Sequence, residues 1–195
     1  QPSYVSYEPC AILADAKPVI IELKEENEFR LTAQELRDAI TDKTKVLILP
    51  FPNNPTGAIM EKADLEAIAE VIREKDIFVI SDEIYSELSY KEKHVSIVSL
   101  PGMEERTVLI NGFSKAYAMT GWRIGYAAGP RNIIKLMTSF QSHAASNPNS
   151  VAQEAATVAL AAGDAPCVQE MVDEFDERRK LMHAMVNEIT GLSGK

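Results

Sequence analysis

Alternating apolar runs and helical repeats predict a chain built of interleaved strands and helices. Short apolar or β-prone runs predict strands at 2–7, 17–23, 45–50, 77–80, 107–111 and 121–127. Apolar residues at helical spacing predict helices at 32–40, 61–75, 132–143, 151–162 and 165–189. This alternation is typical of an α/β fold with a mostly parallel sheet and helices on both faces.

Two details sharpen this prediction. Thr32 and Glu35 form a capping-box pattern at the start of the first predicted helix. About ten residues separate the runs 107–111 and 121–127, which is too short for the crossover that parallel strands need. We therefore expect one antiparallel strand in an otherwise parallel sheet.

Composition narrows the class of protein. The 195 residues are 46% hydrophobic and 25% charged, which is ordinary for a globular domain. A formal net charge of −9 disfavours nucleic acid or an anionic membrane surface as a partner. No apolar run approaches the length of a membrane span. Cys10 and Cys167 are isolated, so we expect a reducing cytoplasm and neither a disulfide nor a metal site.

A pair of carboxylates follows the predicted strand 77–80. Asp82 and Glu83 lie where the carboxyl end of a parallel strand would present them to a ligand. They could form a general acid/base pair, a metal site or a helix cap, although no third acid or histidine lies close by in the sequence. His94, His143 and His183 each stand alone and are expected to be surface or core histidines.

Lys115 follows the predicted strand 107–111 in a segment poor in other charges. Ser114 precedes it and Arg123 follows eight residues later, which suggests an anion site beside an amine. An ordinary solvated lysine is the competing interpretation. An amine that loses its proton in an apolar, cation-rich pocket becomes a nucleophile for carbonyl carbon.

The segment 114–126, SKAYAMTGWRIGY, closely resembles the lysine segment of the class I/II aminotransferases, which are fold-type I pyridoxal-phosphate enzymes. The resemblance implies that Lys115 carries pyridoxal 5'-phosphate as a Schiff base. It also implies that Ser114 and Arg123 hold the cofactor phosphate.

The loop 51–57 contains a second motif of the same family, Asn-Pro-Thr-Gly, although these residues also suit any turn. The resemblance implies that the Asn54 amide donates to the phenolic oxygen of the cofactor. It further implies a cis bond between Asn54 and Pro55. Tyr4 matches the aromatic that stacks on the cofactor ring, where tryptophan is commoner, and a core aromatic is its alternative role.

The resemblance also assigns Asp82 and Tyr85. An aspartate beside the pyridine nitrogen keeps that nitrogen protonated, and the tyrosine reaches the ring oxygen beside Asn54. As an alternative, Asp82 caps a helix. Glu83 is expected to be structural.

The function that these residues favour is transfer of an amino group between an aspartate-like L-amino acid and a 2-oxo acid. Other fold-type I reactions, carbon–sulfur lysis or decarboxylation, would use the same residues. A serine hydrolase is a third hypothesis, because 112–116 resembles a nucleophile elbow, but Ala116 replaces its last glycine.

The resemblance covers nearly the whole chain but only part of the family's length. It implies that residues 1–195 are the central part of the large cofactor-binding domain and that helix 165–195 leads toward an absent small domain. The start at Gln1 without a leader suggests a truncated amino terminus. We expect a homodimer for the full-length parent, and little or no activity for this chain alone.

Overall fold

The computed structural model describes residues 1–163 and 165–194. Over these residues the α-helices are α1 (Tyr7–Leu13), α2 (Ala33–Ala39), α3 (Lys62–Glu74), α4 (Arg131–Ala145), α5 (Ser150–Ala161) and α6 (Pro166–Asn187). The strands are β1 (Val46–Leu49), β2 (Phe78–Asp82), β3 (Thr107–Gly112) and β4 (Gly125–Ala128). Short 3-10 turns lie at Glu25–Asn27, Ile97–Ser99, Glu104–Arg106 and Thr120–Trp122.

The four strands form one sheet in the order β1-β2-β3-β4. β1 and β2 are parallel, as are β2 and β3, whereas β3 and β4 are antiparallel. The predicted α/β fold, a mostly parallel sheet with one antiparallel strand, is confirmed.

Helix α3 supplies much of the core. Ile68, Ala69, Val71 and Ile72 are fully buried, as their helical spacing predicts. Full burial of each isoleucine side chain contributes roughly 1.5–3 kcal/mol. The predicted capping box of α2 is present, with the Thr32 hydroxyl accepting from the Glu35 amide and the Glu35 carboxylate accepting from the Thr32 amide.

Two predicted strands are wrong. Residues 2–7 do not form a strand, and Tyr7 instead begins α1. Residues 17–23 are outside regular structure. They bond to Gln1 instead, whose carbonyl accepts from the Leu23 amide at 2.7 Å and whose amino group donates to the Ile21 carbonyl. Val19 and Ile20 point largely to solvent, so β-branched composition alone did not recruit this segment into the sheet.

Across the described residues, none of the helices combines the length and the apolar character needed to cross a lipid bilayer.

Candidate functional site

The carboxyl ends of β2 and β3 bring the predicted acid and the predicted amine to one edge of the sheet. Asp82 is the last residue of β2 and pairs in register with Ile110 of β3. Lys115 lies in the turn that follows β3, which ends at Gly112. Parallel neighbours end on the same side of a sheet, so the two functional groups share that side.

Asp82 is held from two directions. Its Oδ1 accepts from the Ile84 amide at 3.2 Å, and its Oδ2 accepts from the Tyr7 hydroxyl at 2.8 Å. The first bond caps a turn rather than a helix, since residues 84–87 form only a turn. The helix-cap interpretation of Asp82 is therefore wrong.

Tyr7 is a site residue that the sequence interpretation missed. Burial raises the pKa of its hydroxyl, and the negative charge and hydrogen bond of Asp82 raise it further. The phenol therefore keeps its proton and acts as the donor to the carboxylate. The available signal was a second tyrosine three residues after Tyr4, on the first turn of a helix.

Tyr4 packs edge-on against Tyr7, with ring centroids 5.8 Å apart. Its side chain is 49% exposed, so its interpretation as a core aromatic is wrong. Through Tyr7, the exposed ring of Tyr4 lies in the neighbourhood of Asp82.

Lys115 and Tyr85 lie together. The Lys115 Nζ is 5.3 Å from the centroid of the Tyr85 ring, and both residues are partly buried. Phe113 and Ala116, which flank Lys115, are almost fully buried and anchor the turn. Within residues 1–163 and 165–194, Lys115 forms no ion pair with a carboxylate. No opposite charge there holds its amine in place.

Ser114 and Arg123 are linked through Thr120. The Thr120 hydroxyl donates to the Ser114 carbonyl at 3.0 Å, and Arg123 Nη1 donates to the Thr120 carbonyl at 2.8 Å. Arg123 has a φ of 52° and an exposed side chain. These bonds link the backbone at Ser114 to the Arg123 guanidinium through Thr120, within the segment that joins β3 and β4.

The loop after β1 contains two adjacent asparagines that lie in different environments. Asn53 is buried, donates to the Pro50 carbonyl at 3.3 Å and accepts from the Thr56 hydroxyl at 3.0 Å. Asn54 is exposed, and its bond to Pro55 is cis as expected. Asn53 thus forms the side-chain hydrogen bonds of the turn, whereas the Asn54 side chain is exposed.

Glu83 faces a different set of partners from Asp82. Its carboxylate, 3% exposed, accepts from the hydroxyls of Ser81 at 2.9 Å and Ser96 at 2.7 Å, and lies 2.7 Å from His94 Nε2. The expectation that His94 stands alone is therefore wrong. Because the two carboxylates have separate partners, they are not a proton-sharing pair, and Glu83 is structural as predicted.

Two alternative chemistries find no support in the geometry. In the described part of the chain, no group of His, Cys, Asp and Glu side chains could hold a metal ion. Nor does any histidine there bond to Ser114: His94 contacts Glu83, His183 lies beside Asn187, and His143 is exposed in the last turn of α4. The nucleophile-elbow hypothesis therefore lacks a base.

Comparison with known proteins agrees with this geometry. The family model described as "Aminotransferase class I and II" matches residues 1–194. An aspartate aminotransferase of Pyrococcus abyssi is 50% identical over 190 residues, which are 96% of this chain and 49% of that protein. An aspartate aminotransferase of Bacillus subtilis is 46% identical, over 98% of this chain and 49% of its own length.

Solved structures give the same result. The crystal structure of an aromatic aminotransferase from Pyrococcus horikoshii matches with a TM-score of 0.92 at 49% identity, covering 96% of this chain and 51% of that one. An aspartate aminotransferase from Rhizobium meliloti matches with a TM-score of 0.95 at 39% identity, covering 100% of this chain and 49% of that one. The chain spans about half the length of the relatives it matches. On the strength of a match from residue 1 to residue 194, this chain belongs to the class I and II aminotransferase family.

Proposed function

We propose that the whole protein carrying this chain is an aminotransferase that moves an amino group between an aspartate-like L-amino acid and a 2-oxo acid. The observation that carries the proposal is the placement of the Lys115 amine over the Tyr85 ring, at the same sheet edge as Asp82. Three relatives that match nearly all of this chain are named as aspartate or aromatic-amino-acid aminotransferases, which favours transamination over lysis or decarboxylation.

The donor set fits pyridoxal 5'-phosphate. The Lys115 amine would bind the aldehyde, and the free face of the Asp82 carboxylate would meet the ring nitrogen. Asn54 and Tyr85 would donate to the ring oxygen. Ser114 and Arg123 would take the phosphate, and Tyr4 would lie against the ring.

The bound cofactor would supply an electron sink for charge that develops at the substrate α-carbon. Asp82 would hold the proton on the ring nitrogen, and Tyr7 would fix the carboxylate that does so. Once the substrate amine has displaced Lys115 from the cofactor aldehyde, Lys115 Nζ would take the proton from the substrate α-carbon as a general base and deliver it to the cofactor carbon as a general acid. The hydroxyl of Tyr85 would orient the ring oxygen.

We further propose that residues 1–195 are the central part of a large cofactor-binding domain, with the segment 165–195, which contains α6 (Pro166–Asn187), leading toward a small domain. The support is the coverage of about half of each relative. We also propose that the whole protein is a homodimer and is located in the cytoplasm. Cys10 and Cys167, both exposed and unpaired, are compatible with a reducing compartment.

The test is the visible absorption spectrum of the whole protein with added pyridoxal phosphate. We expect a band that borohydride fixes onto the protein, and we expect Lys115→Ala to lose both the band and the label. Lys62→Ala is the matched control, since Lys62 is an exposed lysine of α3. A Lys115→Ala protein that keeps the band and the borohydride label would refute the assignment.

A second measurement separates the whole protein from the chain. We expect steady-state transamination of aspartate with 2-oxoglutarate by the whole protein, and little or none by residues 1–195 alone. Equal turnover by both would show that the chain holds a complete site, contrary to the proposal.

A further inference from the structure

Glu83 carries a buried charge immediately beside the candidate site. A carboxylate 3% exposed is costly unless it is paired or hydrogen-bonded. Its Oε1 accepts from Ser81 and Ser96, and its Oε2 lies 2.7 Å from His94 Nε2. When this carboxylate is ionised its oxygens only accept, so His94 Nε2 then donates to Oε2.

The strand geometry turns Glu83 away from the ligand. Side chains two apart on an extended chain share a face, and Ser81 does bond to Glu83. Asp82 lies between them and reaches Tyr7 instead. Glu83 therefore cannot touch a ligand held by Asp82, and any effect it has on the site must be transmitted through the backbone.

The segment 84–96 follows Glu83 in the chain, and its last residues return to contact the Glu83 carboxylate. It leaves Glu83 through a turn in which the Ser86 amide donates to the Glu83 carbonyl at 2.9 Å, and it returns at His94 and Ser96. Tyr85 lies in that turn. Residues 84–95 contain neither helix nor strand, so side-chain bonds matter for their position.

The far part of the segment is held differently. Tyr90 is 40% exposed and meets the guanidinium of Arg179 on α6 at 5.4 Å from its ring centroid. Such an exposed cation–ring contact contributes little compared with hydrogen bonds to a buried charge. The buried end is therefore held more firmly than the far end, and within the turn the Asn111 amide of β3 also donates to the Ser86 hydroxyl at 3.1 Å.

We propose that Glu83, His94 and Ser96 form a clasp that positions Tyr85 and Asp82 for the cofactor, with His94 as a positioning residue. This inference rests on the proposed function, because it assigns the clasp to that same site. His94 acts through the Glu83 carboxylate and the turn 84–87 without touching the ligand.

The experiment compares His94→Ala, His94→Gln and Lys93→Ala in the whole protein. Glutamine places a donor near the position of Nε2, whereas alanine removes it. Lys93 is exposed in the same segment and serves as the matched control. The first readout is hydrogen exchange of amides 84–88 without cofactor, with the amides of α3 as the internal reference.

We expect His94→Ala to speed exchange at 84–88 about tenfold relative to α3. It should also weaken pyridoxal phosphate binding about tenfold and shift the pH at which the bound chromophore changes colour. His94→Gln should restore most of each effect, and Lys93→Ala should match the wild type. Ser96→Ala should act in the same direction as His94→Ala.

Two results would overturn the clasp. One is unchanged exchange at 84–88 in His94→Ala. The other is equal acceleration in 84–88 and α3, with normal affinity and an unchanged chromophore, which means a general loss of stability. A wild-type protein without any chromophore would refute the proposed function instead, while the exchange data would still decide whether the clasp holds the turn.

Discussion

At the scale of single residues, the site contains two pairs of adjacent residues, and in each pair one side chain is buried and the other is more exposed. Asp82 accepts from Tyr7, while Glu83 is buried among Ser81, His94 and Ser96. In the loop after β1, Asn53 is buried and hydrogen-bonded within the loop, whereas Asn54 is exposed. In each pair the buried member forms local hydrogen bonds, and the other member is the one that we propose contacts the cofactor.

The hydrogen bond from Tyr7 to Asp82 predicts a pH effect on stability. Burial first, and then Asp82, raise the pKa of Tyr7 above its usual 10.0. The folded protein then binds more protons than the unfolded chain above about pH 10, so this contribution is complete below that pH and is lost as pH rises through the raised pKa. We expect the free energy of unfolding of the whole protein to fall less steeply above pH 10 in Tyr7→Phe.

Urea unfolding between pH 8 and pH 11 measures this slope. Tyr90→Phe is the matched control, because Tyr90 is an exposed tyrosine and its replacement should keep the wild-type slope. At neutral pH, Tyr7→Phe should also cost about 1.5–3 kcal/mol, as expected for a hydrogen bond to a charged group. Identical alkaline slopes in the wild type and Tyr7→Phe would contradict the assignment.

The residues of this site differ in how far the sequence could predict them. The motif around Lys115 and the loop at Asn54 are local in sequence, so both could be proposed from the order of residues alone. The bond from Tyr7 to Asp82 joins residues 75 apart, and the bond from His94 to Glu83 spans a segment without regular structure. Neither leaves a periodic signal, because each depends on where the chain folds back.

At the scale of elements, the antiparallel pair β3 and β4 sets the turn that carries Lys115. Gly112 and Gly125 face each other in register. A Cβ on Gly112 would come 2.9 Å from the Gly125 Cα and 3.2 Å from the Ile124 carbonyl oxygen. The close approach of the two backbones therefore needs glycine.

Gly112→Ala should destabilise the protein by about 1–3 kcal/mol, because the added methyl group meets backbone that cannot rotate away. It should also weaken cofactor binding, since the turn with Lys115 begins immediately after Gly112. Gly121→Ala is the control for stability, because a Cβ there would meet nothing within 4 Å. Thermal unfolding of both variants checks this, and equal melting temperatures would contradict it.

Elements whose apolar spacing matched a buried face were predicted correctly. The helix α3 and the strands β1, β2 and β3 follow their patterns, and the short connection made β4 antiparallel. The segments 2–7 and 17–23 have similar β-prone composition but are not in the sheet. Composition could not reveal this, because pairing depends on a neighbouring strand being available.

At the scale of the whole molecule, α4 presents an apolar stripe to solvent. Ile133, Leu136, Met137 and Phe140 recur at helical spacing, and Leu136 and Phe140 are 71% and 76% exposed. None of the residues of α4 is buried. Such a stripe on an amphipathic helix is typical of a surface that another element covers.

Phe140→Ala should therefore have different effects in the isolated chain and in the whole protein. In the chain of residues 1–195 alone, it should reduce self-association and the binding of an apolar dye, because it removes exposed apolar surface. We expect the rest of the polypeptide to cover α4 in the whole protein, so there Phe140→Ala should lower the free energy of unfolding by about 3–5 kcal/mol, the usual cost of removing a buried phenylalanine ring. Gln141 is an exposed polar residue next to Phe140 on the same helix. Gln141→Ala should therefore change neither the self-association of the chain nor the stability of the whole protein. Light scattering and dye fluorescence test the chain, and urea unfolding tests the whole protein; a Phe140→Ala protein that keeps full stability would show that α4 stays uncovered.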